Sequence, residues 1–129
     1  MNAKRTATMH RLNREESREF VTLDGSTIRV LVDSWLGGAR NQSLAEASLP
    51  PGNATDRHRH PLTEEIYYIL AGTGVMEVDG ARSPVKPGDA VLIPPGAMHQ
   101  IRADADLKGE LRFLCCCAPA YSDEDTIKD

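Results

Sequence analysis

Short apolar stretches separated by Gly, Pro and Asp turns run through most of the chain. Within them apolar and polar residues tend to alternate, and no long segment has the 3.6-residue period of a helix. These apolar stretches predict strands over residues 28–35, 42–49, 65–70, 75–78, 90–93, 98–102 and 111–117. The best helical candidate is short: Asn13 as an N-cap, Glu16 three residues later, and then Phe20.

This pattern predicts an all-β fold. Many short strands between tight turns are typical of an antiparallel sandwich or barrel, and the lack of helices between them argues against a parallel sheet. A chain of 129 residues makes a single domain, 1–129, with the barrel over roughly residues 20–118. The polar segment 118–129 is expected to lie over the barrel or to fray, and the first dozen residues to form a loose arm.

Charge and hydropathy exclude two classes of partner. Fifteen Lys and Arg against nineteen Asp and Glu leave a net charge of −4, with no basic stripe for nucleic acid. No apolar run approaches the ~20 residues that cross a membrane, and the N-terminus lacks the apolar stretch of a secretory signal. A cytoplasmic protein is therefore expected.

Three consecutive cysteines, Cys115, Cys116 and Cys117, are the only ones in the chain. Neighbouring cysteines cannot close an unstrained disulfide, and free thiols fit a reducing compartment. They are interpreted as small residues of a buried strand, with a redox-active thiol as the alternative.

The candidate chemistry lies in the histidines. His58 and His60 are two residues apart, so on a strand both imidazoles face the same side. Glu65 can turn to that side if the chain bends at Pro61, with Glu64 as the alternative carboxylate. His99 follows a Pro-Pro-Gly turn that can present it from a neighbouring hairpin. Three histidines and a carboxylate suit one divalent Fe, Mn, Ni, Cu or Zn ion.

These residues stand in two motifs that resemble the signature motifs of the cupins, a family of small jelly-roll barrels. The first motif is matched by Gly52, His58, His60, Glu65 and Gly72, and the second by Gly88, Pro94, Gly96 and His99. The Asn that usually ends the second motif is Ala103 here. The resemblance implies a single-domain jelly roll with one metal held by His58, His60, Glu65 and His99. It also implies a homodimer, for which Ile66, Tyr68 and Leu70 would supply apolar outer surface.

Strand alternation predicts which other side chains line the pocket. Tyr67 and Ile69 share the face of Glu65, and Ile101 shares the face of His99. On the last strand Leu111, Phe113, Cys115 and Cys117 are expected to point inward. Tyr67 is the candidate catalytic residue, a hydrogen-bond partner for a ligand, with core packing as the alternative. Trp35, Arg40 and Gln42 are expected either near the barrel mouth or in sheet or dimer packing, and His10 on the surface.

The favoured function is a metalloenzyme of dioxygenase type that acts on a small molecule. A divalent metal with three neutral histidines and one carboxylate carries a charge of about +1, which predicts an anionic, chelating ligand. No obvious second carboxylate or Lys stands in the motifs as a general base, and this favours metal-centred chemistry. The alternatives are a non-oxidative isomerase, lyase or cyclase, and a non-catalytic metal-containing binding protein.

Overall fold

Nine strands form two sheets in the computed structural model, which describes residues 8–129. The strands are β1 (Glu19–Val21), β2 (Thr27–Val32), β3 (Ser43–Leu49), β4 (Glu64–Ala71), β5 (Gly74–Val78), β6 (Ala81–Val85), β7 (Ala90–Ile93), β8 (His99–Ala103) and β9 (Leu111–Ala118). One sheet has the order β1-β2-β3-β9-β4-β7 and the other β6-β5-β8. Neighbouring strands are antiparallel. The predicted all-β fold is confirmed.

The core lies between the sheets, and alternation along the strands decides what enters it. On β4 every second residue from Glu65 to Ile69 is buried, whereas Glu64, Ile66 and Tyr68 are exposed. On β9 the inward residues are Leu111, Phe113, Cys115 and Cys117, as expected. The smaller sheet contributes Met76 and Ile101. The inward faces of β4 and β9 therefore run from the hydrophobic core towards the histidines.

Two strands and the helical segment differ from the prediction. β1 has only three residues, all exposed, so no apolar alternation marks it. β6 contains Pro84, which a sheet tolerates because β6 is an edge strand. Asn13 and Glu16 do form a capping box, but they cap a single 3-10 turn, Arg14–Glu16, and Phe20 lies in β1. No helix in the described part of the chain is long and apolar enough to span a membrane.

The C-terminal segment, residues 119–129, lies against the barrel. Ile127 pairs with Arg59 through two backbone hydrogen bonds of 2.9 and 3.0 Å. Lys128 Nζ donates to the Leu23 carbonyl and to Asp56 Oδ2. Of the expected N-terminal arm, residues 1–7 lie outside the described residues. The segment that looked like a polar tail is thus part of the wall around the histidines.

The outer face of the larger sheet carries exposed apolar side chains. Ile66 and Tyr68 are about two-fifths exposed and Leu92 is more than half exposed, whereas Leu70 is half-buried. The homodimer expected from this surface stays a prediction, which light scattering on the purified protein tests.

Candidate metal centre

The three histidines of the motifs converge because backbone pairing joins their segments. His58 and His99 form an antiparallel bridge, with N–H to O distances of 3.2 and 2.9 Å. The amide of Gly96 donates to the carbonyl of His60 at 2.8 Å. One ring nitrogen from each of His58, His60 and His99 lies within 4.8 Å of the others. The two motifs thus meet at one point inside the barrel.

Glycine at position 96 is needed for the turn that leads to His99. Its φ of +83° lies in the left-handed region that side chains disfavour. The turn closes with a hydrogen bond from the Ala97 amide to the Pro94 carbonyl, and it brings the chain back into β8 at His99. The Pro-Pro-Gly sequence therefore positions the third histidine.

Each histidine is oriented by a backbone carbonyl. The Nδ1 atoms of His58, His60 and His99 lie 2.7, 3.0 and 3.0 Å from the carbonyl oxygens of Asp56, Asp125 and Ala97. A carbonyl only accepts hydrogen bonds, so each Nδ1 carries the proton. In each neutral ring Nε2 keeps its lone pair, which is the arrangement that metal-binding histidines use.

Glu65 contributes the carboxylate of the cluster. Its side chain is buried, with Oε1 3.3 Å from His60 Nε2 and 3.5 Å from His99 Nε2. Cys117 Sγ donates to Oε2 at 3.2 Å. Glu64 is exposed on the opposite face of β4. The chain bends between His60 and β4, so Glu65, rather than the alternative Glu64, faces the histidines.

Burial and mutual charge shift the pKa values of these groups. Burial alone would raise the pKa of Glu65, but contact with the imidazoles of His60 and His99 lowers it to about 2. Burial also opposes protonation of His60, yet Glu65 raises its pKa overall. The pKa of His58 is lowered by burial and by the neighbouring His99. Glu65 is therefore ionised at neutral pH beside at least one bare imidazole nitrogen.

The residues fit a bound cation. Glu65 Oε1 and His99 Nε2 are buried acceptors without a hydrogen bond, an arrangement that is costly unless a positive ion lies between them. Imidazole nitrogen and carboxylate oxygen are common ligands of divalent transition metals. The three-histidine group can therefore hold a metal ion, with Glu65 beside it.

A pocket opens beside His58 and His60 along the inner face of the larger sheet, with about 640 Å³ of empty space including the part open to solvent. Tyr67, Phe113, Cys115 and Cys117 line it, as the strand alternation suggested. The other lining residues are Phe20, Thr22, Asp24, Ser26, Ile28, Val30, Asp33, Ser43, Leu44, Ala45, His58, His60, Glu65 and Tyr121. Among the described lining residues there is no Lys or Arg.

Tyr67 is almost fully buried, with its ring 4.6 Å from that of Phe113 and 6.0 Å from that of His99. Burial holds the pKa of its hydroxyl well above the ordinary value. Tyr67 therefore packs in the core and also presents a protonated hydroxyl group to the pocket.

Other candidate residues lie elsewhere. Trp35, Arg40 and Gln42 are exposed and are not among the described residues that line the pocket, and their packing in a sheet or dimer interface stays a prediction. They lie before β3, where the chain runs over the surface. His10 is exposed as expected, and its Nε2 lies 3.1 Å from the Leu31 carbonyl.

Sequence reasoning missed three residues around the site. Asp24 lies in the turn between β1 and β2, with Oδ2 3.7 Å from His58 Nε2. The Tyr121 ring centroid lies 5.9 Å from that of His60. The Asp125 carboxylate accepts from the Leu62 and Thr63 amides. Asp24-Gly25 has the sequence of an ordinary turn, and the expectation that segment 118–129 lies over the barrel did not say that it reaches the histidines.

A family model, the cupin domain, matches residues 45–117 of the chain. The chain belongs to the cupin family. The match spans both motifs and extends from β3 to β9, so the two-sheet fold and the histidine cluster are those of a cupin.

Three known proteins resemble the chain, over different shares of its length. An uncharacterised protein of Methanocaldococcus jannaschii, MJ1618, is 43% identical over 87% of this chain and 88% of its own. An oxalate-binding protein of Thermotoga maritima is 42% identical over 55% of this chain and 57% of its own. The structure of the polyketide cyclase RemF of Streptomyces resistomycificus superposes with a TM-score of 0.74, at 26% identity, over 92% of this chain and 89% of that one.

The cysteines provide a test of strand orientation. Cys115 and Cys117 line the pocket, whereas Cys116 faces the outer side of β9. Burial raises the pKa of all three thiols, most strongly for Cys115 and Cys117. In the native protein Cys116 should react first with a thiol reagent, and the other two only slowly until denaturant is added. Equal rapid labelling of all three, measured by mass spectrometry, would contradict this orientation.

Metal affinity should depend on pH through the histidines. His60 has a raised pKa, so acidification protonates it first and a metal ion must displace that proton. Glu65 stays ionised to about pH 2 and does not limit binding. The affinity for Zn²⁺ should therefore fall at least about tenfold from about pH 7.5 to about pH 5.5. Competition titrations with a chelator measure it, and a constant affinity over that range would exclude histidine ligation.

Proposed function

We propose that the protein is a metal-dependent cupin enzyme that acts on a small molecule in the barrel pocket. His58, His60, Glu65 and His99 would hold one divalent metal ion. The observation that carries this proposal is the convergence of one ring nitrogen from each of three buried histidines, within 4.8 Å of one another, beside a buried carboxylate oxygen that has no hydrogen bond. Iron, manganese, nickel, copper and zinc all suit this donor set.

A bound divalent metal would supply Lewis-acid polarisation of a ligand oxygen. The protein's own groups would orient the ligand and exclude water. The apolar wall of Ile28, Val30 and Phe113 narrows the pocket, and the Tyr67 hydroxyl can donate a hydrogen bond to a ligand oxygen. The raised pKa of Tyr67 keeps it a donor at neutral pH.

Non-oxidative lyase, isomerase or cyclase chemistry is the reaction class that the structure and the comparisons support best. The lack of a second carboxylate in the motifs favoured metal-centred chemistry, and the pocket nevertheless contains Asp24 and Asp33. A known structure that resembles this chain is a polyketide cyclase. Oxygen-dependent chemistry is therefore the second candidate for the reaction.

The side chains that line the pocket also indicate what kind of ligand it binds. An anionic chelator was expected from a site charge of about +1, but two further carboxylates face the pocket and no cationic side chain among the described lining residues compensates them. We propose a ligand that chelates through neutral oxygens, such as hydroxyl and carbonyl groups. The oxalate-binding relative supports the anionic alternative and also a non-catalytic binding role.

The location of the protein is proposed from its thiols. Cys115, Cys116 and Cys117 are all free, which supports the cytoplasmic location expected from the sequence.

Replacing Tyr67 with Phe should separate ligand contact from metal binding. The ring packing is retained and only the hydroxyl is lost, so metal affinity and folding should be unchanged. Loss of one hydrogen bond worth about 1 kcal/mol should weaken ligand binding roughly fivefold. Calorimetry with the identified ligand measures this, and an unchanged ligand affinity would assign Tyr67 to the core alone.

The reaction class is tested by turnover of the metal-loaded protein with a panel of hydroxy ketones, diketones and hydroxy acids. Each reaction is run in air and under nitrogen, with an oxygen electrode and mass spectrometry of the products. Equal turnover without oxygen supports the proposal. Turnover that consumes oxygen establishes the dioxygenase alternative, and binding without turnover establishes the carrier.

A further inference from the structure

Asp24 is held in place from two sides. Its Oδ1 accepts hydrogen bonds from the Ser26 amide at 2.9 Å and from the Ser26 hydroxyl at 2.6 Å. Its backbone carbonyl accepts from the Asp56 amide at 2.7 Å. The Asp56 carbonyl in turn accepts from His58 Nδ1. The turn between β1 and β2 is therefore tied to the segment that carries the first histidine.

The second oxygen of Asp24 faces His58. Oδ2 lies 3.7 Å from His58 Nε2, and within residues 8–129 no side chain or amide donates a hydrogen bond to it. Because His58 Nδ1 already donates to Asp56, Nε2 presents a lone pair. Two acceptors thus face each other at the wall of the pocket, and they repel unless a cation lies near both.

The same arrangement occurs on another side of the cluster. Glu65 Oε1 lies 3.3 and 3.5 Å from the Nε2 atoms of His60 and His99, and both Oε1 and His99 Nε2 are buried without hydrogen bonds. Glu65 approaches His60 and His99, whereas Asp24 approaches His58. The two carboxylates therefore flank the three histidines from different sides.

We propose that Asp24 is a second carboxylate of the metal centre, facing a cation held by the three histidines from the side of His58. This inference rests on the proposed function, because it requires that the cluster binds a metal. Two carboxylates cancel the charge of a divalent ion, and the centre then has little net attraction for an anionic ligand.

If Asp24 only stabilised the turn, replacing it with Asn would have a different effect. An Asp in a turn commonly uses one side-chain oxygen to accept from the amide two residues on, and Asn serves equally well in that role. In Asp24→Asn the side-chain oxygen keeps the Ser26 contacts. The amide nitrogen then replaces Oδ2 and can donate to His58 Nε2. This substitution therefore removes the charge without removing the turn.

The test is the affinity of metal-depleted wild-type and Asp24→Asn proteins for Co²⁺ and Zn²⁺, with the visible spectrum of the Co²⁺ form as a second readout. The Asn variant should bind each metal about 10- to 100-fold more weakly, as is typical when a carboxylate beside a metal ligand is lost. Its Co²⁺ spectrum should change, and its metal-free form should melt at the same or a higher temperature. The higher temperature would follow from relief of the acceptor repulsion.

Glu64→Gln is the control. Its side chain lies on the exposed face of β4, so the substitution removes one carboxylate charge outside the pocket. It should change the metal affinity less than about threefold, since exposed charges are screened.

Each outcome has one meaning. Equal affinities of the wild type and Asp24→Asn overturn the inference and leave the metal site standing. A lower melting temperature of metal-free Asp24→Asn, with an affinity loss like that of Glu64→Gln, assigns Asp24 to the turn and also overturns it. Failure of the wild type to bind either metal overturns the proposed function, and the inference with it.

Discussion

Replacing His60 with Ala, or Glu65 with Gln, is expected to remove most of the metal from the protein. His60 is held by the Asp125 carbonyl and faces Glu65 Oε1, so either change removes one of the converging donors. Loss of a ligand should cost more than the 10- to 100-fold in affinity that loss of an outer-shell partner costs. The measurement is equilibrium dialysis followed by elemental analysis of the anaerobically purified protein.

The control for this pair is Glu64→Gln, which changes the neighbouring residue on the exposed face of β4. It removes the same charge and should leave the metal content at that of the wild type. Far-UV circular dichroism should show that all three variants keep the strand signal, because the core between the sheets does not depend on these side chains. Full metal content in Glu65→Gln together with loss in Glu64→Gln would assign the ligand to the other residue.

Replacing Asp125 with Ala is expected to weaken metal binding although Asp125 lies in the C-terminal segment. Its carboxylate accepts from the amides of Leu62 and Thr63, each at 3.0 Å, and its carbonyl accepts from His60 Nδ1. Without the carboxylate the segment loses two of its hydrogen bonds to the loop after His60, and the imidazole is held less firmly. Metal affinity should fall about 10- to 100-fold.

The free energy of unfolding of Asp125→Ala should also be lower than that of the wild type. Two hydrogen bonds to a charged group contribute about 3 to 6 kcal/mol together, and chemical denaturation of the metal-free protein measures their loss. Glu124→Ala is the control: it removes the same charge one residue away, from an exposed side chain. If both variants behave like the wild type, the C-terminal segment has no part in the site.

Much of the fold followed from local patterns. Alternation over 65–70 and 111–117 predicted which residues of β4 and β9 face inward, because burial on one face of a strand imposes a period of two. β1 and β6 were not predicted, since three exposed residues and a proline-containing edge strand show no such pattern. The turn glycines marked the ends of the elements because positive φ is costly for other residues.

The candidate site was predicted only as far as its motifs extend. The two motifs group His58, His60, Glu65 and His99 in the sequence, and the structure brings these four residues together. Asp24 and Asp125 reach the site through tertiary pairing with the segment around the first histidines. Neither residue differs in sequence from an ordinary turn or tail residue. Only the three-dimensional structure shows that Asp24 adds a negative charge at the site and that the segment containing Asp125 covers it.

The central claim is most directly tested by anomalous diffraction from a crystal of the protein loaded with Zn²⁺ or Co²⁺, with data collected on both sides of the metal absorption edge. The account predicts one peak per chain at roughly 2.0–2.2 Å from the Nε2 atoms of His58, His60 and His99, with a Glu65 oxygen in the same shell. No peak there, or a peak elsewhere with the Nε2 atoms left unligated, would contradict it.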